Sequence, residues 1–368
     1  MDEKMIYVDF DVMESFMKDV FIGAGVPATD AAICANVLIE SDKRGIDSHG
    51  VNRLKPIYID RIKDGILFPV TEFEIVRESP TTAVIDGHNG MGHVIARRSM
   101  EMAIEKAKKF GMGMVAVRNS SHYGIAGYYA SMAIENNMIG MTGTNARPSM
   151  APTFGVENML GTNPLTIGIP TDEAFPFLID CATSITQRGK IELYEKLGKT
   201  MPAGWVIDEQ GNALTDAHQV LADLVAGTAA LAPLGGIGEE LGGYKGYGYA
   251  TVVEILSAAL QGGAFMKMLT GFENGKKVPY RLGHFFIAID IAAFTDPQDF
   301  KKTTGDILRE LRASKKAVGC DHIYTAGEKE YLAYQERKAK GVPINSEVLR
   351  ELTALRDMFG LSKYDAAF

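Results

Sequence analysis

The stretch MVAVRNSSHYGIAGYYASMAIENNMIGMTG, residues 114–143, decides the fold class. Met114–Val117 is a short apolar run of the kind that forms a buried strand, and the polar patch Arg118-Asn119-Ser120-Ser121-His122 interrupts it. Apolar residues then recur at helical spacing over 125–136, and the strand signal returns over 138–143. Strand, polar turn, helix, strand is the order of a sheet covered by helices, with ligands received at strand ends. The reading is an α/β chain.

Working outward, 81–86 reads as a strand, with Gly87, Gly90 and Gly92 leading into a helix over 93–110 that Gly111 stops. Residues 11–22 and 29–43 carry helical spacing, the second opened by Pro27 with Thr29 or Asp30. Asp47-Ser48-His49-Gly50 then marks a bend before an apolar-spaced stretch at 53–62. Downstream, Gly161-Thr162-Asn163-Pro164 enters a strand at 165–169, and Phe175–Ile179 is a further strand. An irregular excursion is expected over 183–215, a glycine-rich turn over 242–248, a buried helix over 249–262 and a strand at Phe285–Ile289. A helix at 298–313 and two more within 326–358, broken near Gly341-Val342-Pro343, close the chain. The expected organisation is a helical region from both chain ends, 1–80 and 298–368, around a mixed α/β region over 81–297.

The 368 residues carry 38 Lys+Arg against 46 Asp+Glu, a formal charge of −8, with 46% hydrophobic content. This excludes a strongly basic nucleic-acid binder and a disordered chain, and it leaves ample core for an enzyme. Cys34, Cys181 and Cys320 are too few and too scattered for a disulfide framework, which fits a reducing compartment. The start MDEKMIYVDF lacks the pattern of a secretory leader, and no apolar run reaches membrane-spanning length. A soluble cytoplasmic protein without a membrane or nucleic-acid partner is expected.

No G-x-G-x-x-G follows a strand, and there is no Walker lysine loop, H-E-x-x-H or G-x-S-x-G. An ordinary Rossmann enzyme is therefore disfavoured. Exposed amides at a helix start or in a glycine-rich turn can still hold a pyrophosphate, which singles out 120–125, 180–184 and 242–248. Four clusters carry candidate chemistry. In the first, His49 can exchange a proton near neutrality, Ser48 can orient it, and Arg53 offers a planar fork to a carboxylate. Read alone, the same residues also suit a locally bonded histidine and a solvated arginine. In the second, Asn119–Gly124, His122 is either the acid/base or a neighbour of a nicotinamide. The third, Asp180-Cys181-Ala182-Thr183-Ser184, offers a carboxylate for a ribose hydroxyl and two hydroxyls that either bind a ligand or cap a helix. The fourth, Gly242–Gly248, contains Tyr244, Lys245 and Gly246, with the lysine suited to phosphate. Asp42, Asp47, His49, His88 and His93 match no metal-ligand spacing, so no metal is expected.

These segments together resemble the malate/L-lactate dehydrogenase family that includes ureidoglycolate and sulfolactate dehydrogenases and is distinct from the Rossmann-type enzymes. The resemblance rests on DSHGVNR at 47–53, NSSHYG at 119–124, GTNARP at 143–148, GTNP at 161–164, DCATS at 180–184, RGK at 188–190, PAGWVID at 202–208, GGYKGYG at 242–248 and GHFFIAID at 283–290. It implies a homodimer, an unusual mixed-sheet nicotinamide-binding domain without G-x-G-x-x-G, and a helical domain built from both chain ends. It also implies NAD or NADP as cofactor, NAD preferred, and a small anionic 2-hydroxy or 2-oxo acid, malate first, as substrate.

By resemblance Ser48, His49, Arg53 and His122 are catalytic. Ser121, His122, Tyr123, Gly124, Ile125, Asp180, Cys181, Ala182, Tyr244, Lys245 and Gly246 contact the cofactor. Which histidine takes the proton stays open. Cys181 departs from the methionine common in the family, and residues Ile237–Leu241 lengthen the loop before the glycine-lysine segment. The alternatives are a cyclic imino-acid reductase and a catalytically inactive nucleotide-binding protein.

Overall fold

Ala83 and Ile85 are buried along Thr82–Asp86, and Val115 and Val117 are buried along Met112–Ser120, so each run lays an apolar row against covering helices. In the computed structural model, which describes residues 5–368, these runs belong to an open seven-stranded sheet. Its strands are β1 (Glu74–Glu78), β2 (Thr82–Asp86), β3 (Met112–Ser120), β4 (Met138–Thr144), β5 (Leu165–Ile169), β6 (Phe177–Cys181) and β7 (Leu282–Asp290), in the order β1-β2-β3-β7-β4-β5-β6. Only β2 and β3 run parallel, and every other pair is antiparallel, which makes the sheet mixed.

The principal helices are α1 (Phe10–Gly23), α2 (Ala28–Lys43), α3 (Gly92–Phe110), α4 (Gly127–Glu135) and α5 (Gly243–Ala258). The parallel pair is the β2-α3-β3 unit, in which α3 buries Ile95, Met100, Ala103 and Ala107 against the sheet. Gly111 ends α3 in the left-handed conformation, φ 82°, and its N–H returns to the Ala107 carbonyl at 2.7 Å. The central strand β7 arrives from far along the chain and buries Phe285, Phe286 and Ala288.

The chain ends meet. Ile6–Val8 pairs antiparallel with Val342–Ile344, and the Phe16 ring lies 5.1 Å from Tyr364 and 4.6 Å from Phe368. Met13, Phe16, Val20, Leu38, Leu54, Leu352 and Leu355 share one apolar core there. Among the described residues no helix is long and apolar enough to cross a membrane.

Five local expectations need correction. The 183–215 excursion contains a helix, Arg188–Lys196, and strands Val206–Asp208 and Ala213–Leu214, which join Ala229–Leu231 in a small sheet. Strands of two or three residues are too short to show a period. The glycine-rich segment 242–248 is the beginning of α5 rather than a turn, because a side chain at Gly243 or Gly246 would collide with the backbone of Gly236 or Leu234. The helix also ends at Ala258, before the expected 262. Helix α2 opens at Ala28 behind Pro27 with no side-chain cap from Thr29 or Asp30. Finally, 53–62 winds through a π-turn, Leu54–Ile59, before the short helix Asp60–Lys63.

Candidate active site

Where α2 ends, the fully buried Asp42 accepts the Val51 N–H at 2.9 Å. Gly50 lies against that carboxyl group, with no room for a side chain. This anchor folds Asp47–His49 and Val51–Arg53 into two short turns. Burial raises the Asp42 carboxyl well above its ordinary range.

The second histidine leaves the end of β3. Ser121 Oγ accepts the Gly92 N–H at 2.9 Å and donates to the Gly90 carbonyl at 2.8 Å. A side chain at Gly92 would strike the carbonyls of Ser121 and His122, so this glycine permits the close turn. The two turns bring the His49 and His122 rings to 5.8 Å between centroids, inclined by 17°.

Ser48 Oγ lies 2.9 Å from His49 Nδ1. Burial, with the Arg53 charge second, lowers the His49 imidazole to about 4. His122 is also held well below the usual histidine range, first by burial and then by His49, Arg61, His93 and Arg53. Both rings are neutral in the resting protein at pH 7.

Arg53 donates from Nε to the Ser48 carbonyl at 2.5 Å, and no carboxylate pairs with its guanidinium among the described residues. Two arginines that sequence reasoning missed share its field. Arg61 lies 4.3 Å over the Tyr280 ring, and Arg147 is exposed; neither has an ion pair among the described residues. The site is therefore electropositive and suits an anion.

Behind His122, the buried Tyr58 places its hydroxyl 2.6 Å from His122 Nδ1 and 2.8 Å from His93 Nε2. In the sequence His93 stands out only among candidate metal ligands, and Tyr58 lies within the apolar-spaced stretch 53–62. A phenol among aliphatic residues was the available signal.

A cavity of roughly 160 Å³ collects Ser48, His49, His122, Tyr123, Gly124, Ile125, Asp180, Cys181 and Ala182. Tyr123 stacks on the buried His284 at 4.4 Å, with the rings within 1° of parallel. Arg53, Ser121, Tyr244, Lys245 and Gly246 do not line the cavity. The Ser121 hydroxyl is used on Gly90 and Gly92, and Lys245 lies 5.7 Å from the neighbouring Tyr244 ring.

Asp180 spends both oxygens within the protein, accepting the Gly127 N–H at 2.6 Å and the Thr166 hydroxyl at 2.8 Å. A free carboxylate for a ribose is therefore not what the resting protein offers. Thr183 and Ser184 donate to the carbonyls of Thr162, Asn163 and Thr186 and do not cap a helix.

The expected cofactor segments nonetheless join. Asp180 holds the start of α4, Thr183 accepts from the Leu234 N–H at 2.8 Å, and Gly246 packs on the Leu234 backbone.

The cavity suits the reacting end of a nicotinamide cofactor. Apolar Ile125, Ala126, Pro164, Ala182 and Leu282 form part of its wall, with Thr162 and Gln187 as polar groups. The backbone N–H groups of Ile125 and Ala126 find no acceptor among the described residues. Unpaired amides on a cavity wall are ready donors for ligand oxygens. A complete dinucleotide exceeds the enclosed space, so its remainder would extend beyond it.

Comparison with known proteins identifies the family. The Malate/L-lactate dehydrogenase family model matches residues 8–353. The chain is 43% identical over 360 residues to malate dehydrogenase of Pyrococcus horikoshii, covering 98% of this chain and 97% of that one. It is 38% identical over 349 residues to L-sulfolactate dehydrogenase of Methanocaldococcus jannaschii, covering 94% and 95%. The crystal structure of malate dehydrogenase from Entamoeba histolytica superposes with a TM-score of 0.93 at 45% identity, covering 97% of this chain and 99% of that one. A family match along nearly the whole length, joined to this cavity and its histidines, places the chain in the malate/L-lactate dehydrogenase family of oxidoreductases.

Proposed function

We propose that this protein interconverts malate and its 2-oxo acid, with NAD preferred over NADP, through the histidine pair and Arg53. Family membership makes it an NAD(P)-dependent oxidoreductase of small 2-hydroxy and 2-oxo acids. Malate is favoured because proteins named malate dehydrogenase are among the most similar relatives. The observation that carries the reading is a guanidinium without an ion pair, held on the Ser48 carbonyl and bearing electrostatically on two neutral imidazoles that line a small cavity.

When bound, the cofactor supplies the hydride acceptor for oxidation and the hydride donor for reduction. Arg53 grips the C1 carboxylate and so orients C2. An imidazole of the pair takes the C2 hydroxyl proton, and Ser48 orients His49 for that exchange. The amides of Ile125 and Ala126 and the 180–182 segment would hold the nicotinamide end, with Tyr244, Lys245 and Gly246 serving the phosphates beyond the cavity.

A second copy of the chain would cover the apolar face of α5, where Tyr249, Val252 and Ile255 are about half exposed. The unpaired cysteines Cys34, Cys181 and Cys320 support a reducing, cytoplasmic setting. The test is a panel of malate, lactate, sulfolactate, ureidoglycolate and cyclic imines, followed by reduced-nicotinamide absorbance. Malate-dependent turnover with NAD as the better cofactor is expected; turnover confined to imines would overturn the substrate assignment.

A further inference from the structure

Three groups meet at or near His122 Nδ1 in an arrangement that fixes where their protons lie. The backbone N–H of Gly124 points at His122 Nδ1 from 3.3 Å, and a backbone amide can only donate. Nδ1 must therefore present its lone pair. Tyr58 Oη, 2.6 Å from the same atom, must then donate its proton, since two lone pairs at that separation repel. With its proton committed, the Tyr58 oxygen accepts from His93 Nε2 at 2.8 Å, which places the His93 proton on Nε2. His93 Nδ1 is left as a bare acceptor, and it is a buried atom without a hydrogen-bond partner. An unpartnered acceptor at that nitrogen is what this proton order requires.

We infer that Tyr58 and His93 are positioning residues that lock His122 with its proton on Nε2, making His122 the hydrogen-bond donor to the substrate C2 oxygen and leaving proton transfer to His49. This rests on the dehydrogenase reading above. The donor chain runs one way, from His93 through Tyr58 to His122, and Nε2 is the remaining polar atom of a ring that lines the cavity.

His49 differs in kind. Its Nδ1 meets the Ser48 hydroxyl, which donates or accepts equally well, so nothing holds this ring in one tautomer. In oxidation the substrate O–H bond breaks and an N–H bond forms on His49, while C2 becomes a carbonyl and its hydride leaves with the electron pair to the bound nicotinamide. The Nε2–H of His122 steadies the oxygen as its charge develops, without giving up its proton. The groups bearing on His122 are Tyr58, His93, His49, Arg53 and Arg61, with Asp180 on the same cavity wall. Burial and the neighbouring positive charges keep the His122 ring neutral, as a donor of this type requires.

The experiment is nitrogen NMR of the full chain labelled with ¹⁵N-histidine and free of ligand, with His122 assigned by its loss in His122→Asn. The wild type should show the His122 proton on Nε2 and a bare Nδ1. A proton on Nδ1 overturns the inference, whether or not any positioning variant folds. Tyr58→Phe leaves the Gly124 amide as the remaining donor to Nδ1, so it should loosen the tautomer preference and lower kcat by about 10- to 100-fold while KM for malate changes less than about threefold. His93→Gln, which keeps a donor for Tyr58, should retain the wild-type tautomer and most of the rate. An unchanged kcat in folded Tyr58→Phe also overturns the inference. Failure of the functional reading looks different: no acid or imine is turned over, whatever tautomer His122 shows.

Discussion

Arg337, on the helix Glu328–Arg337 near the end of the chain, clamps both carboxylate oxygens of Asp47 at 2.5 and 2.8 Å and donates to the Asp42 carbonyl at 2.7 Å. The C-terminal part of the chain thus holds the turn that presents Ser48 and His49. Arg337→Ala should lower kcat/KM by about 10-fold through misplacement of that turn. The partly exposed pair should contribute no more than about 1 kcal/mol to stability. Steady-state kinetics beside a urea melt checks both, and a large stability loss with normal kinetics would assign Arg337 to folding alone.

Asp180 ties β6 to α4 through Gly127 and to β5 through Thr166. Removing the carboxylate in Asp180→Ala orphans the buried Gly127 N–H and should cost about 1–3 kcal/mol. Asp180→Asn can present its oxygen to Gly127 and its amide to the Thr166 hydroxyl, so its loss should stay within about 1 kcal/mol. Equal losses in the two variants, measured by denaturant unfolding, would contradict this.

The sheet was legible in the sequence because β2, β3, β4 and β5 alternate or run apolar over enough residues to show a period, and Gly111 marks a helix end whose geometry demands glycine. The small sheet around Val206–Asp208 was not, because its strands fall below one readable period. Ser48, His49 and His122 announced themselves as polar residues at a bend and at a strand end. Tyr58 and Arg61 did not, because the π-turn at Leu54–Ile59 shifts the helical register and so alters which side chains face the site. The early start of α5 was hidden because glycine ordinarily signals a break, whereas here it allows the Gly236 and Leu234 backbones to approach.

Stability should fall on acidification through the buried histidines. Burial lowers His93 and His284 to about 3. Between the unfolded value near 6.5 and that folded value, the unfolded chain binds protons that the folded chain refuses, so stability drops as pH falls through this window. Each group should contribute a loss of roughly 2 kcal/mol between pH 6.5 and pH 5. Asp42, Asp180 and Glu254, raised by burial, act in the opposite sense and offset part of the loss. Urea melts at the two pH values should show a smaller drop for His284→Gln than for the wild type; an equal drop would remove His284 from the account.

Arg61 has no carboxylate partner among the described residues and bears electrostatically on both His122 and Arg53. A substrate with a second carboxylate should use that charge, and one without it should not. Arg61→Gln should therefore reduce kcat/KM for malate about 10-fold more than for lactate, in line with the worth of a charge-assisted hydrogen bond. Parallel kinetics on the two acids decides it, and an equal loss on both would assign Arg61 to structure.

The most direct test of the central claim is malate-dependent reduction of NAD(P)+ by the wild type and by Arg53→Ala, each paired with a melting curve. The expected result is turnover by the wild type, a fall in kcat/KM of about 100-fold or more in the variant, and little change in melting temperature. Equal rates in the two folded proteins would contradict it.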